Sequence, residues 1–471
     1  MTSQRTAPTT PQNGAARTPQ KLPWSLLRAG GRHGLADSET RDPIGLAVAA
    51  LNRLASSDII DRLGIRKASE RGVYRVTSAG FRTAGNVGRT FARAGKATRG
   101  NRVPAAKPTG LFDLTPGEDE QMLADVVGEF ATEMVRPAAA DADDACATPE
   151  ELLEASLEIG LPILGVPEDL GGIATERSAV AGVLVHEALA KGDMGIAVAA
   201  LAPGAVATAL SLFGTEEQQR TYLPAFTGDE VPAAALALAE PAALFDPLTP
   251  ATTAEKRGDG FVLNGVKSGV VRGSEAELFV VGAELDGRPQ LFLVESRSDG
   301  VTIESDPSMG LRAASLSRLL LEDVAVEPVA LLGDADDYRE CVRLSRLAWC
   351  ALAVGTGQAV LDYVIPYVKE REAFGEPVAH RQSVAFMVAN IGIELQGMRL
   401  VTWRAASRVA QGKPAAREIA LARRLCAERG MQIGNNGVQL LGGHGFVKEH
   451  PVERWYRDLR AIGLMEGAVL V

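Results

Sequence analysis

Residues 261–294 read FVLNGVKSGVVRGSEAELFVVGAELDGRPQLFLV, and the period of this stretch decides the fold. Phe261-Val-Leu-Asn264, Glu277-Leu-Phe-Val-Val281 and Gln290-Leu-Phe-Leu-Val294 are short runs of β-branched, aromatic and leucine residues punctuated by Gly and Asp. Such runs read as strands joined by turns. Val301-Thr-Ile303 and Leu319-Leu-Leu-Glu-Asp-Val324 extend the block. On both sides the period changes. From Leu114 to about Asp229 apolar residues recur at helical spacing, first at Leu123, Val126, Val127, Phe130 and Met134. A second run, Leu152, Leu153, Leu157 and Leu161, is ended by Pro162, and the turn Pro167-Glu-Asp-Leu-Gly-Gly172 follows. After Asp334 helical periodicity returns and continues to Val471. Helices, strands, then helices predict an α+β chain with segregated layers rather than alternating βαβ units. No GxGxxG follows a strand, so a Rossmann dinucleotide site is not expected.

The chain has 471 residues, more than one compact core accommodates. The pattern divides it into a basic extension (1–110), an N-terminal α-helical domain (111–231), a middle β-barrel or sandwich domain (232–334) and a C-terminal helical bundle (335–471). With 46% hydrophobic and 23% charged residues it is neither disordered nor fibrous. Cys146, Cys341, Cys350 and Cys426 lack metal-type spacing, and His186-Glu187 is followed by Ala190 where an HExxH pair needs a second histidine. No metal is expected. The apolar stretch from Ile196 to Phe213 is interrupted by Pro203-Gly204 and reads as two short buried helices, not a membrane span.

The net charge of −10 hides a split: residues 1–110 carry 19 Lys and Arg against 6 acids, the remainder 30 against 53. Residues 1–36 contain no acid and no long apolar run, so a secretory signal is not expected. Residues 43–66 have helical apolar spacing, and Arg75, Arg82 and Arg89 recur every seven residues beside Tyr74 and Phe81. Two readings stay open there: a basic face for anionic lipid, or a solvated helix docked on the body. Residues 94–110 read as a linker. The extension lacks a recognised nucleic-acid fold or interleaved aromatics, so no nucleic-acid partner is expected. A cytoplasmic localisation is expected, membrane-peripheral on the first of those readings, with a mitochondrial one the alternative.

From about Leu114 onward the chain resembles the acyl-CoA dehydrogenases, FAD-dependent oxidoreductases that oxidise the α–β bond of fatty acyl thioesters. The landmarks fall in order: Val166-Pro-Glu-Asp-Leu-Gly-Gly172, Phe213-Gly-Thr-Glu-Glu-Gln218, Tyr222-Leu-Pro224, Asn264-Gly-Val-Lys267 and Leu321-Glu-Asp-Val324. They continue with Glu370-Arg-Glu-Ala-Phe-Gly375, Gln439-Leu-Leu-Gly-Gly-His-Gly445, and Pro451-Val-Glu-Arg454 with Arg457-Asp458. The resemblance implies the fold's order of helical, β and helical domains, FAD as cofactor and an acyl-CoA substrate. It also implies electron-transfer flavoprotein as partner and a homodimer or homotetramer.

Breaking an α C–H bond needs a base against the α carbon, and hydride acceptance needs a cofactor. In the family the base is a glutamate in a Tyr-Glu-Gly-Thr segment, a register in which this chain places Glu466 between Met465 and Gly467. Leu464 and Met465 are expected to strip water from it, which makes a carboxylate a better base. Some members carry the base at the position of Ser345, which cannot serve, while Arg346 matches an arginine near the base. For FAD, Arg371, Phe374 and Gln382 match residues that reach a neighbouring subunit's cofactor, and Gln439, Gly442 and Gly443 match the segment that meets the adenosine-diphosphate half. The ring half departs. A typical member reads Leu-Thr-Glu-Pro-Gly-Ala-Gly-Ser-Asp where this chain has Leu238-Ala-Glu-Pro-Ala-Ala-Leu-Phe-Asp246. Ala239 and Phe245 thus replace the flavin-contacting Thr and the phosphate-contacting Ser, Ala242 and Leu244 replace two glycines, and Gly269 and Val271 replace a ring-covering Trp and the following Thr. Members also continue with a helix beyond this chain's last residue, so a truncated or divergent C-terminus is expected. The alternative function is a non-catalytic homologue acting as a scaffold or hetero-oligomer subunit.

Overall fold

A computed structural model describes residues 114–172, 177–228 and 231–471. The basic extension, with the helix expected over 43–66, the Arg75, Arg82 and Arg89 face and the whole linker, lies outside the described residues.

The first layer is helical: α1 (Glu118–Phe130), α2 (Arg136–Ala145), α3 (Glu150–Glu158), α4 (Ala179–Gly192), α5 (Met194–Phe213) and α6 (Glu216–Phe226). Side-chain caps start three of them. Ser178 Oγ accepts from Ala181 N, Asp193 Oδ1 accepts from Ile196 N, and Thr215 and Gln218 exchange bonds at α6. Two runs differ from the sequence expectation. Val126 faces solvent within α1, and between α1 and α2 the residues Ala131–Val135 form a π-helical turn, which rotates the apolar face so that Val135 rather than Met134 is buried. The second run stops at Glu158, because Gly160 turns left-handed (φ +78) and Leu161 begins a separate 3-10 turn.

A third correction concerns α5, expected as two helices and found as one of 20 residues with Pro203 inside. Gly204 packs it closely against the turn before it: a Cβ there would stand 3.0 Å from the Leu161 carbonyl and 3.2 Å from Pro162. Helices α5, α7 (Ala335–Glu370) and α8 (Gln382–Ala410) are long and apolar enough to cross a membrane, and α5 and α7 bury most of that surface inside the body.

The middle layer is one mixed sheet of β1 (Ala234–Ala237), β2 (Thr253–Arg257), β3 (Gly260–Val271), β4 (Leu278–Leu285), β5 (Arg288–Glu295), β6 (Val301–Ser305), β7 (Leu316–Val326) and β8 (Leu331–Leu332). Its path runs β6-β7-β3-β2-β4-β5-β8, with β1 added parallel to β4. Side-chain alternation splits the sheet between two cores. Leu236, Leu278 and Val280 join the helical core, whereas Ala235, Ala237, Phe279 and Val281 join the sheet's own core with Leu263 and Phe292. The sequence did not signal β1 (AALA), whose alanines favour helix.

The last layer is a bundle of α7, α8, α9 (Ala416–Leu441) and α10 (Val452–Ala461), with the small hairpin β9 (Glu372–Ala373) and β10 (Glu376–Pro377) after α7. Asp334 caps α7 by accepting from Asp336 N (2.7 Å) and Asp337 N (3.0 Å). Around its middle α7 is apolar on every side, with Leu347 to Val354 fully buried, so it is the pillar on which the other helices pack. The helical, β and helical order is the expected fold.

Candidate active site

Glu466 sits on a loop pinned from three elements. Gly467 (φ +78) bridges antiparallel to Ala237 of β1. Its carbonyl accepts from Ser345 Oγ (2.7 Å) and Trp349 Nε1 (2.9 Å) of α7. Arg423 Nη2 of α9 donates to the Met465 carbonyl (2.6 Å). Glycine is required at 467 twice over, by its left-handed backbone and because a Cβ would stand 3.0 Å from the Leu236 carbonyl. Ser345 therefore anchors the Glu466 loop.

The loop presents the Glu466 carboxylate, 9% exposed, to two arginines. Arg346 is bidentate: Nη2 donates to Oε1 (2.8 Å), and Nε to Oε2 (2.9 Å) and Oε1 (3.1 Å). Arg423 Nη2 lies 3.5 Å from Oε1. Oε1 thus accepts three hydrogen bonds and Oε2 one. Burial pulls the Arg346 guanidinium down, but the bonds and charge of Glu466 outweigh it and hold Arg346 above its ordinary value. Burial wins at Arg423, which is lowered, and its Nη1 has no hydrogen-bond partner among the described residues. The expected apolar flanks are half present. Met465 is buried, but Leu464 is 70% exposed, because the turn after α10 directs it to solvent. Sequence reasoning missed Arg423, which lies more than forty residues from Glu466 on a helix rich in unrelated arginines.

Met465 closes the ring side. Its Sδ and Cε lie 3.2 and 3.1 Å from where a Cβ on Gly269 would stand, and Gly269 itself has φ +61. Glycine at 269 and methionine at 465 fill one another's space where family members carry aromatics. Gly269 sits in a register shift between Lys267 and Val270, where β3 leaves its pairing with β7. Ala239 is buried and Phe245 half-buried, so this side offers FAD apolar surface in place of hydroxyls. The frame behind it is ionic: Lys267 Nζ contacts Glu240 Oε1 at 2.7 Å with both side chains buried, and Thr252 Oγ1, Thr252 N and Ala251 N complete the carboxylate's bonds. Burial lowers Lys267 to about 8 against the pull of Glu240.

The residues expected to meet a neighbour's FAD and its adenosine-diphosphate half lie elsewhere. Arg371 ends α7, and Phe374 projects from the β9–β10 hairpin, 96% exposed at φ +58 with Arg381 stacked on its ring. A bulky side chain in that backbone region is strained, and among the described residues none buries the ring. Gln382 and Gln439 are exposed, and a Cβ on Gly442 or Gly443 would meet nothing within 4 Å. Tyr367 Oη donates to the Leu441 carbonyl (3.5 Å), tying the end of α7 to the end of α9 just before Gly442. This open, arginine-bearing corner fits a diphosphate and an adenine. Along α7, however, Arg371 lies roughly 37 Å from Arg346 and the Glu466 carboxylate it holds. One chain does not bring the two groups together.

Below the Glu466 loop, Val469, Leu470 and Val471 are buried, the Val471 carbonyl accepting from Arg177 Nη1 (2.5 Å). A cavity of about 20 Å³ remains beside them, lined by His186, Thr208, Ser178 and Gly182, room for about one water. His186 is fully buried there; its Nδ1 is 2.7 Å from the Gly182 carbonyl, its Nε2 has no partner among the described residues, and burial lowers it to about 4.

Three family models match consecutive parts of the chain: Acyl-CoA dehydrogenase, N-terminal domain (residues 117–230), middle domain (235–324) and C-terminal domain (338–469). The mitochondrial short-chain specific acyl-CoA dehydrogenase of Rattus norvegicus is 32% identical over 362 residues, covering 74% of this chain and 87% of that protein. A 3-(aryl)acrylate reductase of Clostridium sporogenes is 30% identical, with coverage of 74% and 95%. Among solved structures, butyryl-CoA dehydrogenase from Megasphaera elsdenii superposes with a TM-score of 0.69 at 26% identity, over 75% of this chain and 95% of that one.

Proposed function

This chain belongs to the acyl-CoA dehydrogenase family, a family of flavin-dependent oxidoreductases that use FAD, and we propose that it oxidises the α–β bond of a fatty acyl-CoA with Glu466 as the base. The observation that carries this reading is the Glu466 carboxylate, buried, fixed by a pinned loop and oriented by the fork of Arg346. FAD, when bound, supplies the acceptor for the hydride from the β carbon. Arg346 holds the carboxylate plane, so Oε2, with its single hydrogen bond, is the atom that accepts the α proton. Orientation of this kind is worth keeping even though the arginine competes for the oxygen's lone pairs. Arg371, Phe374, Gln382, Gln439, Gly442 and Gly443 would hold the adenosine-diphosphate half of a second subunit's FAD. The separation of roughly 37 Å along α7 supports that division and hence a homo-oligomer. Electron-transfer flavoprotein would collect the electrons.

The test is Glu466→Gln. It is expected to leave acyl-CoA binding nearly intact and lower dehydrogenation by on the order of a hundredfold or more, because the amide cannot take the proton. Wild-type turnover by the purified variant removes Glu466 from the chemistry. A second reading, a non-catalytic subunit of a hetero-oligomer, is favoured by Met465 standing on Gly269 and by the missing hydroxyls at Ala239 and Phe245. Flavin bound only after a second family subunit is added would select it.

A further inference from the structure

We propose that His444, Glu449 and His450 bind one divalent transition-metal ion of the zinc, nickel and copper class. After α9 the chain makes a 3-10 turn over Gly442–Phe446 and doubles back, bringing His450 beside His444 with ring centroids 5.6 Å apart. One ligand atom from each of the three side chains lies within 4.8 Å of the other two.

His450 is the fixed ligand. Its Nδ1 lies 2.6 Å from Tyr363 Oη, and its ring packs edge-on against Tyr363 and Tyr367, leaving Nε2 for the ion. An oxygen partner on the second ring nitrogen is the outer-shell arrangement that sets the tautomer of metal-binding histidines. The other two ligands are uncommitted. Among the described residues neither the His444 ring nitrogens nor the Glu449 carboxylate has a hydrogen bond or ion pair, and neighbouring Lys448 is drawn to Asp143 and Asp144.

Two imidazoles and one carboxylate suit borderline cations. Calcium and magnesium prefer all-oxygen shells, and Cu(I) prefers sulfur. Bonds of about 2.0–2.2 Å bring ligand atoms to about 3.4 Å from one another, so the exposed His444 and Glu449 side chains close by a small rotation. Water completes the shell. The ion would tie the turn carrying Gly442 and Gly443 to α7 through His450 and Tyr363. The proposal stands independently of the acyl-CoA reading.

The experiment is calorimetric titration with Zn²⁺ of tag-free full-length protein after dialysis against chelator, repeated with Co²⁺ while recording its visible ligand-field bands. One equivalent at micromolar affinity is expected. His444→Ala, His450→Ala and Glu449→Gln, all at exposed or half-buried positions, should each weaken binding at least about tenfold, and Tyr363→Phe by about tenfold through the outer shell. No binding at millimolar Zn²⁺ overturns the proposal. So does an equivalent retained unchanged by the His444→Ala, His450→Ala double variant, which would place the ion elsewhere.

Discussion

His186 is expected to make this protein acid-sensitive by a calculable amount. It is fully buried on α4, and burial lowers it to about 4 from an ordinary value of 6.5. Between those values the unfolded chain carries a proton on this ring that the folded chain does not. Stability therefore rises with pH through the window and is lost as pH falls from 6.5 toward 4. The cost of acidification to about pH 5 is about 2 kcal/mol, growing to about 3 kcal/mol near pH 4. Carboxylates titrate there too, so the decisive comparison is with His186→Leu, which keeps the volume and removes the proton. Urea unfolding followed by far-ultraviolet circular dichroism, at about pH 7 and pH 5, measures the difference. Relative to wild type, the leucine variant should gain about 2 kcal/mol on going to the lower pH. Parallel behaviour at the two values would show that the His186 ring takes up its proton in the folded state, and the burial argument would fail.

Lys267→Met should destabilise the sheet by about 3–5 kcal/mol, because it strands the Glu240 carboxylate in the interior, and adding Glu240→Gln should recover much of the loss; urea midpoints of the three variants check this. Gly269→Trp should cost about 1–3 kcal/mol, since it forces a bulky residue into φ +61 and against Met465. Adding Met465→Ala should return the steric share only, and full recovery in thermal melts would exclude backbone strain.

The strands in 261–324 were legible because period two and Gly-Asp turns are local signals. Gln439 to Gly445 and Arg371 to Gly375 were legible because motif residues stand together in sequence. What escaped was non-local. The π turn at Ala131–Val135 leaves the apolar composition unchanged while rotating it, and β1 is strand only because β4 accepts it. Lys267 and Glu240 both stood in quoted segments, yet their pairing depends on how β3 meets the loop after β1. The Glu466 environment was read from its neighbours Leu464 and Met465 and, through the resemblance, from Arg346, whereas Arg423, remote in sequence on another helix, gave no signal.

The length of α7 has a genetic consequence. With the Glu466 clamp and the Arg371 corner at separate stations on one pillar, each chain carries two half-sites, and the proposed oligomer completes each from different polypeptides. A chain bearing Glu466→Gln and a chain bearing Arg371→Ala would each assemble into inactive homomers. Co-expressed, they would form mixed dimers in which one site collects both lesions and the other collects neither. Two dead alleles would then complement within a single locus, and the recovered activity would count the mixed assemblies.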